Sequence, residues 1–278
     1  MGRFTGFLLA SDYDGTLADS RGEIPPFVRE KLRYFCAQGG LFTVCTGRSR
    51  QGFHAFDASL MNAPALVANG MMAYDYAAGR TFFADAADRA GCAVLREAAV
   101  RFPSVGFELY TPEGQTYVFR PDGRSRRHLD NQQIAYTEVA SLDEAPFPVV
   151  KLMLSCGRET GAQLQRFFDH ADMGCLKYIP TDGEMVELLR ADSGKGAGLL
   201  KLADMLGIAR NRVFAVGDGD NDLEMLAAAA AAFVPENGCE EAKALAAKIV
   251  PSNDDGAVGH VVDLLENTEA EPGPGIEI

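Results

Sequence analysis

Residues 8–20 read Leu8-Leu9-Ala10-Ser11-Asp12-Tyr13-Asp14-Gly15-Thr16-Leu17-Ala18-Asp19-Ser20, an apolar run that stops on two carboxylates and turns at Gly15. From Phe7 to Ala10 no polar residue alternates, the pattern of a strand buried on both faces of a parallel sheet. Asp12 and Asp14 then lie at its carboxyl end, where open α/β sheets bind ligands. Gly15 lets the chain leave the strand sharply and bring both acids to one pocket. Two crowded negative charges suit a hard divalent cation such as Mg²⁺, which takes carboxylate and carbonyl oxygens and leaves room for water and phosphate. The competing account of the same residues is an Asp-Gly turn that needs no metal. A calcium EF-hand loop fails, because Leu17 stands where that loop needs glycine and the preceding segment reads as strand.

Composition narrows the classes. The 278 residues exceed one typical domain of about 150 residues and predict two. A 47% hydrophobic content fills a sizeable core, and a net charge of -13 argues against nonspecific binding to nucleic acid or anionic membranes. An anionic substrate would therefore need local positive charge. Six scattered cysteines form no C-x-x-C pair, which speaks against zinc and a disulfide scaffold and for a reducing, cytoplasmic setting. No run is long enough for a membrane span, and the apolar start is too short for a signal peptide.

Strand-like runs at Phe7–Ser11, Leu41–Thr46, Ala65–Ala68, Val213–Gly217 and Ala231–Val234 alternate with helical patterns such as Pro26–Gln38, a βαβ rhythm. From Phe82 to Leu189 the character changes: a helical pattern at Ala86–Arg101, hairpin-like strands at Phe107–Tyr110 and Tyr117–Phe119, and a strand at Val149–Leu154. A helix at Thr160–His170 and strands at Cys175–Ile179 and Met185–Leu189 complete it. This reads as an α+β insertion at 82–189 into a discontinuous α/β core of residues 1–81 and 190–278. Arg120, Arg124, Arg126 and Arg127 surround Pro121-Asp122-Gly123, read as a solvated hairpin tip with a site for a second anionic group as the alternative, and the tail with Pro272 and Pro274 reads as frayed.

Three further strand ends repeat the opening theme: Thr46-Gly47-Arg48, Asn69-Gly70, and Gly217-Asp218-Gly219-Asp220-Asn221-Asp222. Lys195 stands between Gly194 and Gly196. A hydroxyl, a free amide, a point cation and several acids at converging strand tips are what phosphoryl transfer on a metal requires. Singly each has a plainer account, as turns, a solvated lysine or a helix start. Their order changes the reading.

In that order the chain resembles the haloacid dehalogenase-like phosphatases, and within them the Cof-type hydrolases with a large α/β cap inserted after the third core strand. The first motif is matched by Asp12-Tyr13-Asp14-Gly15-Thr16, the second by Thr46 with Gly47-Arg48, the third by Lys195-Gly196, and the fourth by Gly217 to Asp222. Where such chains commonly read Met-x-Asn-Ala after the fifth strand, this one has Pro235-Glu236-Asn237-Gly238. The resemblance implies a Rossmann-like core and a phosphatase of small phosphorylated metabolites, sugar phosphates among them. It implies Asp12 as nucleophile, Asp14 as acid and base, and Thr46, Gly47, Arg48, Lys195 and Asn221 around the phosphoryl group. Mg²⁺ would be held by Asp12, Asp14 through its carbonyl, and Asp218, with Asp222 orienting the shell or binding through water.

Rival phosphatase chemistries lack their parts. No cysteine is followed six positions later by arginine, and the four histidines (His54, His128, His170, His260) include no Arg-His-Gly. A sugar phosphomutase of the same superfamily and a catalytically silent phosphate-binding protein are the alternatives kept.

Overall fold

The structure, a computed structural model, describes residues 2–53, 57–179 and 184–267; the Pro272/Pro274 tail and His54 lie outside them. Two compact units emerge: one from Met1–Gly47, Asp57–Phe82 and Lys195–Ile278, the other from Arg48–Phe56 and Phe83–Gly194.

In the first unit, β1 (Leu8–Ser11) is fully buried, as its unbroken apolar run requires. It pairs in parallel with β2 (Leu41–Val44) on one side and β12 (Val213–Val216) on the other. Beyond β12 lie β13 (Ala231–Pro235) and β14 (Lys248–Val250), giving the sheet order β14-β13-β12-β1-β2. The strand order reverses at β1, which opens a crevice at the carboxyl ends of β1 and β12. A parallel bridge from Cys45 to Leu66 joins β3 (Ala65–Val67) to the edge, and β3 continues into a small sheet with β4 (Met72–Asp75) and β5 (Arg80–Ala84). Helix α1 (Pro26–Ala37) buries Val28, Leu32 and Phe35 at helical spacing and packs on α8 (Ala257–Asn267); α5 (Lys195–Met205) packs on α6 (Leu223–Ala228).

The second unit is a six-stranded sheet, ordered β10-β11-β9-β6-β7-β8. Its strands are β6 (Gly106–Tyr110), β7 (Thr116–Phe119), β8 (Thr137–Val139), β9 (Lys151–Ser155), β10 (Leu176–Ile179) and β11 (Met185–Arg190). Pairing is antiparallel except between β7 and β8. Alternation sorts its faces. Phe107, Leu109, Leu152, Leu154, Val186 and Leu188 join the apolar core with α2 (Val94–Arg101) and α4 (Arg158–Phe168). Glu108, Tyr110, Lys151 and Glu187 occupy the opposite face, over which α3 (Gly123–Asn131) supplies Ser125 to Glu108.

Two expectations need correcting. The helical pattern over Ala86–Arg101 becomes a helix only from Val94, because Ala87 exchanges both backbone hydrogen bonds with Val149 (2.7 and 2.9 Å) and Asp88 caps a turn at the Gly91 amide. Pro121-Asp122-Gly123 is a helix start and not a hairpin tip: Asp122 accepts from the amides of Arg124 (2.9 Å) and Ser125 (2.8 Å), capping α3. Three of the four arginines there have partners, Arg124 with Asp122, Arg126 with Glu138, and Arg120 with the Ala99 carbonyl.

Candidate active site

Asp12 prolongs β1: its amide donates to the Val216 carbonyl at 2.9 Å. The chain then makes a wide turn over Tyr13–Leu17, with Gly15 at φ +82°. A Cβ on Gly15 would lie 2.7 Å from Asp218 Oδ2, so glycine serves close approach as well as the turn. Thr16 Oγ1 donates to Asp218 Oδ1, tying the first acidic loop to the one after β12.

Lys195 opens α5 and is 1% exposed. Its ammonium donates to Asp12 Oδ1 (2.5 Å) and Asp222 Oδ1 (2.6 Å). The glycine after it has a packing reason, since a Cβ on Gly196 would overlap the Glu224 carbonyl of α6. Asp222 is buried and its second oxygen accepts from the amides of Asp218 (2.9 Å) and Gly219 (3.0 Å). Asp222 therefore both holds Lys195 and shapes the loop that presents Asp218.

One ammonium faces three acids, and the titration of the site reflects it. Burial pushes Asp12 up to about 8, opposed by Lys195 and reinforced by the charges of Asp222 and Asp218. Asp218 is also raised, by burial and by Asp222, with Asp14 near enough to contribute, against the Thr16 hydrogen bond and Lys195. Lys195 is raised despite burial, because Asp12 and Asp222 flank it. Carboxylate oxygens of Asp12, Asp218 and Asp222 lie within 4.8 Å of one another. Hard oxygen donors this close, with uncompensated negative charge, fit a divalent cation of the Mg²⁺ kind.

On the neighbouring strand end Thr46 is buried, and its carbonyl accepts from the Asn69 amide at 2.9 Å. Asn69 adopts φ +52°, and its side-chain oxygen would sit 3.1 Å from a Cβ on Gly47. Asn221 Nδ2 reaches that oxygen at 3.5 Å. Thr46, Gly47, Asn69 and Asn221 thus gather, while Cys45 Sγ lies 4.0 Å from the Lys195 carbonyl. Asp14 is exposed on the turn, and Arg48 groups with the second unit.

Three contributors escape a sequence reading of roles: Thr16, Asn69 and Asn237. Asn237 donates to the Gly15 carbonyl (2.8 Å) and accepts from the Asn253 amide (2.9 Å), so the departure at Pro235–Gly238 still supplies an anchor for the turn. Only the Asn-Gly dipeptide at 69–70 carries a local signal.

The sequence profile of the haloacid dehalogenase-like hydrolases matches residues 9–262. The chain belongs to that family. It is 28% identical over 283 residues to a 5-amino-6-(5-phospho-D-ribitylamino)uracil phosphatase of Bacillus subtilis, spanning 92% of this chain and 97% of the relative. To a pyridoxal phosphate phosphatase of Escherichia coli it is 27% identical over 256 residues, 88% and 93% of the two chains. A haloacid dehalogenase-like hydrolase from Bacteroides thetaiotaomicron shares the fold with a TM-score of 0.82 at 22% identity, over 93% of this chain and 99% of that one. The expected α/β fold and the expected enzyme class, a phosphatase of this family, both hold. Among the described residues no helix is long and apolar enough to cross a membrane.

Proposed function

We propose that this haloacid dehalogenase-like phosphatase hydrolyses phosphomonoesters of small metabolites, with Mg²⁺, through an aspartyl-phosphate on Asp12. The observation that carries the reading is the cluster of buried Asp12 and Asp222 with half-buried Asp218, in which the Lys195 ammonium pairs with Asp12 and Asp222. A carboxylate oxygen of Asp12 attacks phosphorus as the ester P–O bond breaks, and Asp14 gives its proton to the departing alkoxide. Water then attacks the phosphoaspartate, the Asp12–phosphorus bond breaks, and Asp14 takes the proton of that water. Lys195 and Asp222 hold Asp12 in place, and Thr46, the Gly47 amide, Arg48 and Asn221 receive the phosphoryl oxygens. Asp12 and Asp218, with the Asp14 carbonyl, would hold Mg²⁺, which when bound offsets the repulsion between an anionic nucleophile and an anionic phosphate.

The residues from about 82 to 189 act in this proposal as the substrate-selecting unit. The substrates named for the two curated relatives, a phosphorylated ribitylaminouracil and pyridoxal phosphate, support a small phosphorylated metabolite as the class. Both being phosphatases also favours hydrolysis over the phosphomutase alternative. The test is a panel of phosphorylated sugars, nucleotides and cofactors with the purified protein, with and without Mg²⁺. Free phosphate from at least one, abolished by chelation, is expected; an isomerised sugar phosphate, or phosphate release untouched by exhaustive chelation, would overturn the reading.

A further inference from the structure

Asp12 and Asp14 are held in different ways. Asp12 sits in the sheet, its amide on the Val216 carbonyl and its carboxylate on the Lys195 ammonium. Asp14 is exposed on the turn that follows, with φ −80° and ψ 117°, and the next residue is Gly15, whose backbone has the widest choice of conformations in that turn. Three fastenings beyond Asp14 limit this freedom. Asn237 Nδ2 donates to the Gly15 carbonyl at 2.8 Å, Thr16 Oγ1 donates to Asp218 Oδ1, and Asn253 Nδ2 donates to the Ala18 carbonyl at 2.8 Å. The first acts on the glycine itself. All of these residues belong to the first unit.

The plain account of Pro235-Glu236-Asn237-Gly238 is a turn after β13, and the Gly238 amide does donate to the Pro235 carbonyl at 2.8 Å. That turn needs nothing from the Asn237 side chain, whose two bonds both leave it: Nδ2 goes to Gly15, and Oδ1 accepts from the Asn253 amide at 2.9 Å. The partners fix which end is which, since a carbonyl oxygen accepts and a backbone N–H donates. Two residues on, the Cys239 amide donates to the Asp218 carbonyl at 2.8 Å. One short loop therefore grips both the turn that carries Asp14 and the loop that carries Asp218. We propose that Asn237 is a positioning residue for the acid–base step: oriented by Asn253, it pins the Gly15 carbonyl and so aims the carboxyl group of Asp14. The inference rests on the reading of Asp14 as acid and base. Loss of the bond frees the glycine, and Asp14 then samples orientations from which its proton does not reach the leaving oxygen.

The test is steady-state hydrolysis of one alkyl and one aryl phosphate by the full chain. Asn237→Ala removes both side-chain bonds, whereas Asn237→Asp keeps an acceptor for the Asn253 amide and loses the donor to Gly15. Both variants should lower kcat on the alkyl phosphate about ten- to a hundredfold, and on the aryl phosphate less, because its leaving group needs less protonation. In an Asp14→Asn background, Asn237→Ala should cost about twofold at most, since no acid is left to aim. A merely structural role would slow both substrates alike and add in full to Asp14→Asn. Wild-type kcat in Asn237→Asp, equal losses on the two substrates, or a fully additive loss in the Asp14→Asn background overturns the positioning role, provided that Asp14→Asn itself spares the aryl phosphate. If Asp14→Asn slows both substrates equally, the acid reading falls and the inference with it.

Discussion

Each unit buries charge, and the two do so differently. In the second unit Glu108 is fully buried, yet both its oxygens are supplied: Oε1 by Ser125 (2.7 Å), Oε2 by Tyr110 (2.6 Å) and His128 (2.9 Å). Nearby, Lys151 and Glu187 pair at 3.2 Å. In the first unit the ammonium of Lys195 is shared by Asp12 and Asp222 beside the third acid, Asp218, and Asp12 rises to about 8. A satisfied buried carboxylate fixes a fold, whereas an unbalanced cluster is held by the rest of the structure at a cost and marks chemistry.

The strongest way to break this comparison is Asp12→Asn. Turnover should fall on the order of 10⁴-fold or more, while the melting temperature holds or rises, because the amide keeps the shape and sheds a crowded charge. Phosphate release and a thermal melt on one preparation check both; a folded variant with near-wild-type release would remove Asp12 from the nucleophile role.

Lys195→Met takes away the ammonium that pairs with Asp12 and Asp222. It should cost about 3–5 kcal/mol of stability in denaturant melts, more than Glu108→Gln, which leaves one oxygen's partners to rearrange at about 1–3 kcal/mol. Equal losses would mean that the first cluster is as well compensated as the second.

Asp14→Asn should slow turnover about 10²- to 10⁴-fold. Aryl phosphates, whose leaving groups need less protonation, should suffer less than alkyl phosphates. An equal loss for both classes would count against the acid role.

The smallest effect is in proton linkage. Because Asp12 is raised from 3.8 to about 8 by burial, the metal-free fold should lose stability as the pH climbs through that interval. Mg²⁺ needs the ionised carboxylate, so its uptake below pH 8 should release a proton and its affinity should rise with pH, then level off. Titration calorimetry at pH 7 in two buffers of different ionisation enthalpy measures the release. Glu108→Gln should leave it unchanged, and Asp12→Asn should remove it.

The strands ending in Asp12, Thr46 and Asp218 were legible because parallel strands buried on both faces leave unbroken apolar runs, and the carboxylates interrupt them abruptly. Lys195 was legible only by its place in a motif order, since nothing local distinguishes a buried lysine from a solvated one. Asn237 and Thr16 act through contacts more than 200 residues away in sequence, at Gly15 and Asp218, which periodicity cannot report. Strands of three to five residues such as β4, β5 and β8 carry too few alternations to stand out. At Ala86–Ala93 the helical spacing was genuine, but backbone pairing of Ala87 with Val149 overrode it.

The central place of β1 also governs how the chain is made. Leu8 pairs with Leu41, close by in sequence, but its other neighbour is Val213. At ribosomal elongation rates β12 emerges about 10–40 s after β1, and until then one edge of a strand that ends up fully buried has no partner. The second unit is synthesised during that wait. It has its own sheet and apolar core and can fold first, leaving an unfinished half-sheet upstream for chaperones to guard.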